Sequence, residues 1–533
     1  MQAAGVAAGG TADGLRREGG RPCRPGLWAG LWAVRLAWLG AGALAALLAL
    51  GWAKLAYNGY LTAIWPGQLD YGEGIVWQQA ALIPGPRMYG DLQRYPYLVF
   101  HYPPLYHLVV RAVAMAGVPW LMAGRLVSLA SAFVLAALAG ALVHEAVRRA
   151  APPAAAAVGA ALTALLFASF GPVEFWARAM RVDMLAVALE FLGMYLGLLA
   201  LSRPRLLPLA ALVFVLAAYT KQTALAGAAA TFAVALARMP GRAIRAGLLA
   251  GLVGGATFAA LTAATEGGFA RHVILYNVNR FSLGAAWRTL GETGALATYP
   301  AYILLAAASA AAVLAQLAWR WSHLGAVQPG PVVFAIYSLL ATANLAALGK
   351  SGAWSNYLIP WAASWALLIG VAAAAAWAAL LARPARPLAA LVLLAILLPQ
   401  ALRAPVAGGE RKLVDPAFRQ QHDALLAMVE HARKPVFSDD MLVLMEAGRE
   451  VPWEPSIITE LSAKGLFDEH AVIALIDARA FAFMVVWGEP GNPWYDARYS
   501  PAVSAAIERN YPVQRLLAEM HVRLPAPDGG TAP

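Results

Sequence analysis

The sequence predicts an all-α polytopic membrane protein of about 11 transmembrane helices, with a small C-terminal α/β extracytoplasmic domain. Composition is the first observation behind this class. Of 533 residues, 61% are hydrophobic and only 13% charged, whereas soluble domains carry roughly a quarter charged residues. The second is a succession of apolar runs long enough to cross about 30 Å of hydrocarbon. The third is a split in charge: residues 1–404 hold 11 carboxylates against 28 lysines and arginines, and residues 405–533 hold 18 against 12. The first stretch reads as membrane with basic loops, the second as a soluble domain. Arginines at membrane loops account for the basic excess, so no nucleic-acid partner is expected.

In chain order, residues 1–26 (MQAAGVAAGGTADGLRREGGRPCRPG) are glycine-rich and basic and read as a disordered cytoplasmic tail. They are too long and polar for a signal peptide, and the apolar run behind them is long enough to remain as an anchor. Cys23 is the one cysteine, which excludes an internal disulfide framework, and no Cys/His cluster has zinc spacing. Residues 27–404 form the membrane domain, with candidate spans near 31–55, 122–146, 154–172, 182–201, 206–220, 222–237, 246–264, 299–318, 331–348, 357–381 and 388–402. Arg16, Arg17, Arg21 and Arg24 place the N-terminus inside. Arg148/Arg149, Arg203/Arg205, Arg238/Arg242/Arg245, Arg320 and Arg383/Arg386 then fall at every second loop, as cytoplasmic basic loops require.

Eleven crossings leave a large first loop (56–121), the segments 265–298 and 349–356, and the domain 405–533 on the outer face. The stretch PPLYHLVVRAVAMAGV (103–118) is short and interrupted by His107 and Arg111. It is expected to lie in the outer interface as a helix entered through Pro103 and Pro104, not to cross. In the soluble domain FRQQHDALLAMVEHARK is helix-like, KPVFSD and AFAFMVVW are β-like, and no catalytic motif stands out.

The membrane domain sorts its few acids to one surface. Asp13, Glu18 and Glu145 fall inside, and most of the others map to outer loops or outer helix ends. The positive-inside rule does not sort carboxylates. QLDYGEGIVWQQ (68–79) sets Asp70 and Glu73 three residues apart in the first outer loop. A carboxylate just above the bilayer is suited to take the proton of an attacking hydroxyl, help worth about 10²–10⁴ in rate. The structural alternative is a cap on the helix starting near Ile75.

YTKQTALAG places Lys221 at the outer end of two short helices, and ARAMRVDMLAVALE places Arg178, Arg181 and Asp183 at the outer start of another. Cations so near hydrocarbon need partners. A lipid phosphate is one; snorkelling for Lys221 and a mutual Arg181–Asp183 ion pair are the alternatives. Glu190, seven residues after Asp183, reads as structural. His101 and Tyr102 (YPYLVFHYPPLYH), Tyr276 and Asn279 (RHVILYNVNRFS), and Asn356 and Tyr357 (KSGAWSNYLIP) add groups able to bind sugar faces and hydroxyls, or to form an ordinary aromatic belt.

The set resembles polytopic glycosyltransferases of the GT-C type, more narrowly the bacterial families related to protein O-mannosyltransferases and lipid A aminoarabinose transferases. The likeness rests on DYGEG in the first outer loop, YPPLY at 102–106, Arg181-x-Asp183 opening a helix, TKQT around Lys221, the outer Asn356–Tyr357 and the outward C-terminal domain. It covers about residues 31–402. It implies a sugar donor carried on a polyprenyl phosphate or pyrophosphate, a cell-envelope acceptor (glycan, lipid or protein), and inverting transfer on the outer face of a bacterial inner membrane.

Asp70 is the best match to the family's catalytic aspartate. Several relatives carry adjacent Asp-Glu, whereas Tyr71 and Gly72 intervene here, so Asp70 and Glu73 both stand as candidate bases. Lys221, Arg181 and Arg178 are the implied donor-phosphate ligands. Asp183, Tyr102, His101, Tyr276, Asn279, Asn356 and Tyr357 are the implied substrate contacts. Divalent-metal dependence varies among relatives and stays open. The other readings are a lipid or sugar transporter or flippase, which would favour mid-membrane polar groups and internal repeats, and a non-catalytic assembly subunit.

Overall fold

The structure is a computed structural model describing residues 25–277, 279–320, 327–384, 387–403 and 415–526. The expected disordered tail lies outside these up to residue 24, with Cys23 and its four arginines, as do Arg386 and the junction 404–414.

Helix α1 (Pro25–Ala63) leads into the first outer loop, which folds as α2 (Glu73–Leu82) and α3 (Leu105–Met115), the short helix expected beside the membrane. Then come α4 (Trp120–Val147), α5 (Pro153–Leu166), α6 (Gly171–Trp176), α7 (Asp183–Ala200), α8 (Leu207–Thr220), α9 (Ala226–Arg238) and α10 (Pro240–Ala264). A second outer segment carries α11 (Gly268–Val273), α12 (Leu283–Glu292) and α13 (Ala295–Thr298). The bundle closes with α14 (Pro300–Trp319), α15 (Pro329–Ala343), α16 (Ile359–Ala382) and α17 (Leu388–Arg403). Each of the eleven expected spans is thus occupied by an apolar helix. Seven are individually long and apolar enough to cross a membrane; α5, α8, α9 and α17 are shorter. The protein is a multi-pass membrane protein.

Small residues bring the helices together. A Cβ on Gly159 of α5 would meet the Gly370 carbonyl of α16 at 2.6 Å, and one on Gly370 would meet Thr163 Oγ1 at 1.8 Å. Such close backbone crossings supply the packing that a lipid solvent, itself apolar, does not drive. Helix α16 is accordingly buried along most of its length.

Helices α8 and α9 have 14 and 13 residues, about 20 Å each at 1.5 Å per residue. The two meet at an irregular break at Lys221. Irregular backbone within the hydrocarbon region is tolerated only where it lines a cavity or is buried in protein.

The C-terminal unit is α/β. After α18 (Pro416–Glu430), strands β1 (Phe437–Ser438), β2 (Met484–Val486), β3 (Val513–Leu517) and β4 (Met520–Leu524) form one sheet in the order β1-β2-β4-β3. β1 pairs parallel to β2, which pairs antiparallel to β4; β3 and β4 form a hairpin. The two β-like runs became β1 and β2. The hairpin escaped notice because VQRLLAEMHVRL mixes charge into both faces.

The unit docks on the first outer loop. Tyr97 N donates to the Pro452 carbonyl (2.8 Å), Val451 N donates to Gln78 Oε1 (2.7 Å), and Ile75, Tyr89 and Phe100 share one core with Leu425, Val443 and Val485. A Cβ on Gly74 would fall 2.4 Å from Leu442 N, so that glycine is needed for the approach.

Candidate functional site

The two acids of DYGEG meet different fates. Asp70 Oδ2 accepts from Arg181 Nη1 (2.9 Å) and from Gly72 N (3.0 Å), while its Oδ1 has no hydrogen-bond partner among the described residues. Gly72 is what lets Arg181 reach: a Cβ there would lie 1.9 Å from Arg181 Nη1. Burial pushes the Asp70 carboxyl above its ordinary range, and Arg181 offsets only part of that push.

Glu73 points away from the cleft and is sealed. It accepts from Arg125 Nε (2.9 Å) and Nη2 (2.7 Å), Met180 N (2.8 Å) and Leu69 N (2.7 Å). Burial raises its proton affinity, but Arg125 and the two backbone N–H groups outweigh it and hold Glu73 below its ordinary value. Arg125 directs its remaining donors to the Thr62, Trp65 and Gly67 carbonyls. It ties the end of α1 to the first loop. Sequence reasoning passed over Arg125, although an ionisable residue inside an apolar run was the signal.

Behind Arg181 lies a second charged group. Lys221 Nζ donates to Asp183 Oδ1 (2.6 Å) and sits 4.6 Å from the Tyr357 ring centroid; Asn356 Nδ2 donates to the same oxygen (3.0 Å). Asp183 Oδ2 is buried without a partner among the described residues. The mutual Arg181–Asp183 pair, the structural alternative, does not form, because each finds a nearer partner: Arg181 takes Asp70 and Asp183 takes Lys221.

Two cavities meet at Lys221, Thr223 and Tyr357. One is a polar outer cleft of about 450 Å³, walled by Gly72, His101, Tyr102, Arg181, Asn279 and Lys350 among others, with Glu454 and Ser456 contributed by the soluble unit. The other, about 320 Å³, runs between α7, α9, α15 and α16 and is walled mainly by Ala186, Val187, Ala226, Ala229, Leu340 and Ala341, with Asp183, Glu190 and Asn356. Arg181 Nε, Gln222 Oε1 and Ser351 Oγ are buried without partners among the described residues, and all three residues line the outer cleft. Buried polar atoms are otherwise almost always satisfied, so these orphans mark a place for a polar ligand.

Of the expected residues, Arg181, Lys221, His101, Tyr102, Asn279, Asp183, Asn356 and Tyr357 line one or other cavity. Tyr102 Oη accepts from Arg181 Nη2 (3.2 Å), and Asp70 adjoins the cleft through Arg181. Asp70, Glu73, Arg178 and Tyr276 do not themselves line either cavity. Glu73 is enclosed as described. Arg178 is buried among helices, its Nε bonded to the Glu174 carbonyl (3.1 Å), because its helical turn points it back toward α6. Tyr276 packs its ring edge-on against His272, and its neighbour Asn277 takes the cleft position, donating to the His101 carbonyl (3.0 Å).

Unforeseen members are Gln222, Lys350 and Glu454. Lys350 has no carboxylate partner among the described residues. Glu454 is pushed by burial to about 7. Lys350 sat inside the quoted KSGAWSNY stretch; Glu454 had no local signal. Among the described residues no group of three or more His, Cys, Asp or Glu is placed to hold a metal ion.

A bundle of this topology, with its charged groups under a folded first outer loop and an α/β unit docked above, is a GT-C fold. Solved structures agree on that class. ArnT from Cupriavidus metallidurans in the apo state superposes with a TM-score of 0.52 at 14% identity, covering 89% of this chain and 98% of that one. The same protein bound to undecaprenyl phosphate gives 0.53 at 13% identity, covering 90% and 98%. The Archaeoglobus fulgidus oligosaccharyltransferase complex with Zn and sulfate gives 0.51 at 14% identity, covering 88% and 71%. At these identities the likeness is one of fold. No protein-family model and no curated protein matches the sequence.

Proposed function

We propose that the protein is an inverting glycosyltransferase that moves a sugar from a polyprenyl-phosphate-linked donor to a cell-envelope acceptor. In this reading it works on the outer face of a bacterial inner membrane, with its N-terminus cytoplasmic and its soluble domain outside. One observation carries the reading. A polar cleft with orphaned polar atoms joins an apolar cavity inside the bundle, and the joint is made by Lys221 and Tyr357, with Arg181 on the cleft wall and Asp70 bonded to it. A lipid-linked sugar has that division: an apolar chain, an anionic joint and a polar head. The undecaprenyl phosphate held by ArnT supports the same class of lipid for this fold.

In the proposed reaction the acceptor hydroxyl gives its proton to Asp70 Oδ1, the oxygen left free by the Arg181 pair. The hydroxyl oxygen attacks the anomeric carbon from the face opposite the phosphate. The C–O bond to phosphate breaks, its electron pair leaves with the phosphate, and the configuration inverts. Lys221, Arg181 and Lys350 stabilise the charge that develops on the leaving group, as cations prearranged in a closed site can. Glu73 acts through structure, holding Arg125 and the loop.

The test uses full-length protein in vesicles with polyprenyl-phosphate sugars and cell-envelope extract, products being read by mass spectrometry. Transfer is expected, with D70N lowering its rate about 10²–10⁴-fold. Transfer undiminished in D70N removes Asp70 as the base. Sugar-lipid movement without any covalent product replaces the enzyme with a transporter.

A further inference from the structure

At the end of the bundle opposite the cleft, four arginines border one cavity. Arg203 and Arg205 come from the turn before α8, and Arg242 and Arg245 from the first turns of α10. With Pro204, Pro208 and Ala246 they enclose about 710 Å³. None of the four pairs with a carboxylate among the described residues; Arg245 Nε donates to the Gly241 carbonyl one turn back (3.1 Å). The one described carboxylate of the membrane domain at this end is Glu145, and Arg148 already holds it through two bonds of 2.7 and 3.0 Å. Neighbouring basic groups are likewise engaged: Arg149 with Ser202, and Arg238 with the Val327 carbonyl. The positive-inside rule accounts for arginines in these loops. It does not call for four unneutralised guanidinium groups around one space, where they repel one another and gain by sharing an anion.

A second observation says what kind of anion. Ile244, Leu248 and Leu252 of α10 are 54%, 68% and 70% exposed and recur every four residues, so they form an apolar stripe along the helix that begins next to the cavity-lining Arg245. A headgroup seated among the arginines would lay its chain along that stripe.

We infer that the Arg203–Arg205–Arg242–Arg245 cavity binds the phosphate headgroup of an anionic phospholipid in the leaflet opposite the cleft. Basic pockets between membrane helices take such headgroups, and guanidinium forks match phosphate oxygens in pairs. The site is independent of the transfer chemistry.

The test is native mass spectrometry of delipidated full-length protein, titrated with phosphatidylglycerol, phosphatidylcholine or inorganic pyrophosphate. Phosphatidylglycerol is expected to bind at least tenfold more tightly than phosphatidylcholine. That preference should be lost in R203Q/R205Q/R242Q/R245Q and kept in large part when all four are Lys, which preserves the loop charge. If the quadruple Gln variant fails to fold, R242Q/R245Q alone is expected to weaken phosphatidylglycerol at least tenfold. Unchanged anionic-lipid binding in the Gln variants overturns the site. Displacement of the lipid by an equal concentration of pyrophosphate overturns the lipid and makes it a site for a soluble phosphate.

Discussion

Two regions of the first outer loop pair a carboxylate with an arginine from another segment, three residues apart in sequence, yet they are built for different purposes. The Glu73–Arg125 pair is sealed, with side chains 0% and 1% exposed, and every hydrogen bond it makes ends on protein. The Asp70–Arg181 pair is open, with side chains 19% and 16% exposed, one free carboxylate oxygen and an orphaned Arg181 Nε on the cleft. Taking charge out of water is repaid only when nearly every lone pair and N–H finds a partner. Glu73 meets that condition and Asp70 does not, so Asp70 keeps unspent bonding capacity for something that arrives. Both are carboxylate–arginine pairs; satisfaction of the hydrogen bonds separates scaffold from site.

The sharpest way to break this contrast is to cut each pair and read stability and rate separately. Arg125→Met should remove about 3–5 kcal/mol by leaving Glu73 charged and buried. The expected result is a large fall in the thermal midpoint or loss of the folded protein from detergent extracts. Asp70→Asn should leave the midpoint nearly unchanged while transfer collapses. A D70N protein as unstable as R125M would make both pairs scaffold.

A smaller effect sharpens the open side. Arg181 and Lys221 each come with a carboxylate, whereas Lys350 faces the cleft without one. Lys350→Met should raise KM for the lipid-linked donor about tenfold, a loss of about 1–2 kcal/mol of screened attraction. kcat should change less, and Lys350→Arg should restore most of the loss. Equal donor affinity in K350M would confine phosphate binding to the two paired cations.

Much of this was legible in the sequence because membranes impose simple rules. Apolar length gave the eleven helices, and the arginines of alternate loops gathered at one end. The order DYGEG, RVD, TKQT and NY was enough to bring Asp70, Arg181, Lys221 and Asn356 to the other. What the sequence withheld was pairing. Nothing local says that Arg181 turns to Asp70 and Asp183 to Lys221, or that Arg178, three residues before Arg181, faces into the helices. The first of these follows from Gly72, whose missing Cβ opens the way for the Arg181 guanidinium. Glu454 was invisible for another reason: it reaches the cleft only because the soluble unit docks on α2 and on Tyr97, a contact hundreds of residues apart in the chain.

The sealed region extends into the soluble unit, and a pH measurement can show how far. Glu446, at the end of the short helix Met441–Glu446, lies 3.6 Å from His422 with one oxygen unpartnered. Burial, reinforced by Asp440 and opposed by Arg125, pushes it up to about 8. The folded chain therefore holds this proton at pH values where the unfolded chain, near 4.5, has released it. Stability from this group is full below about 4.5 and is lost as pH rises through 8. Asp440, raised to about 6 by burial, acts in the same sense lower down. His422, which burial keeps neutral, acts in the opposite sense below its ordinary 6.5. Between pH 7 and 8 Glu446 outweighs Glu454, which burial raises to about 7 and which acts in the same sense, so the tryptophan-fluorescence melting midpoint should fall by a few degrees across that interval. Glu446→Gln should flatten the slope while leaving transfer by the open region intact. A slope that persists in E446Q would place the titrating proton elsewhere and detach the soluble unit from the electrostatics of the sealed pair.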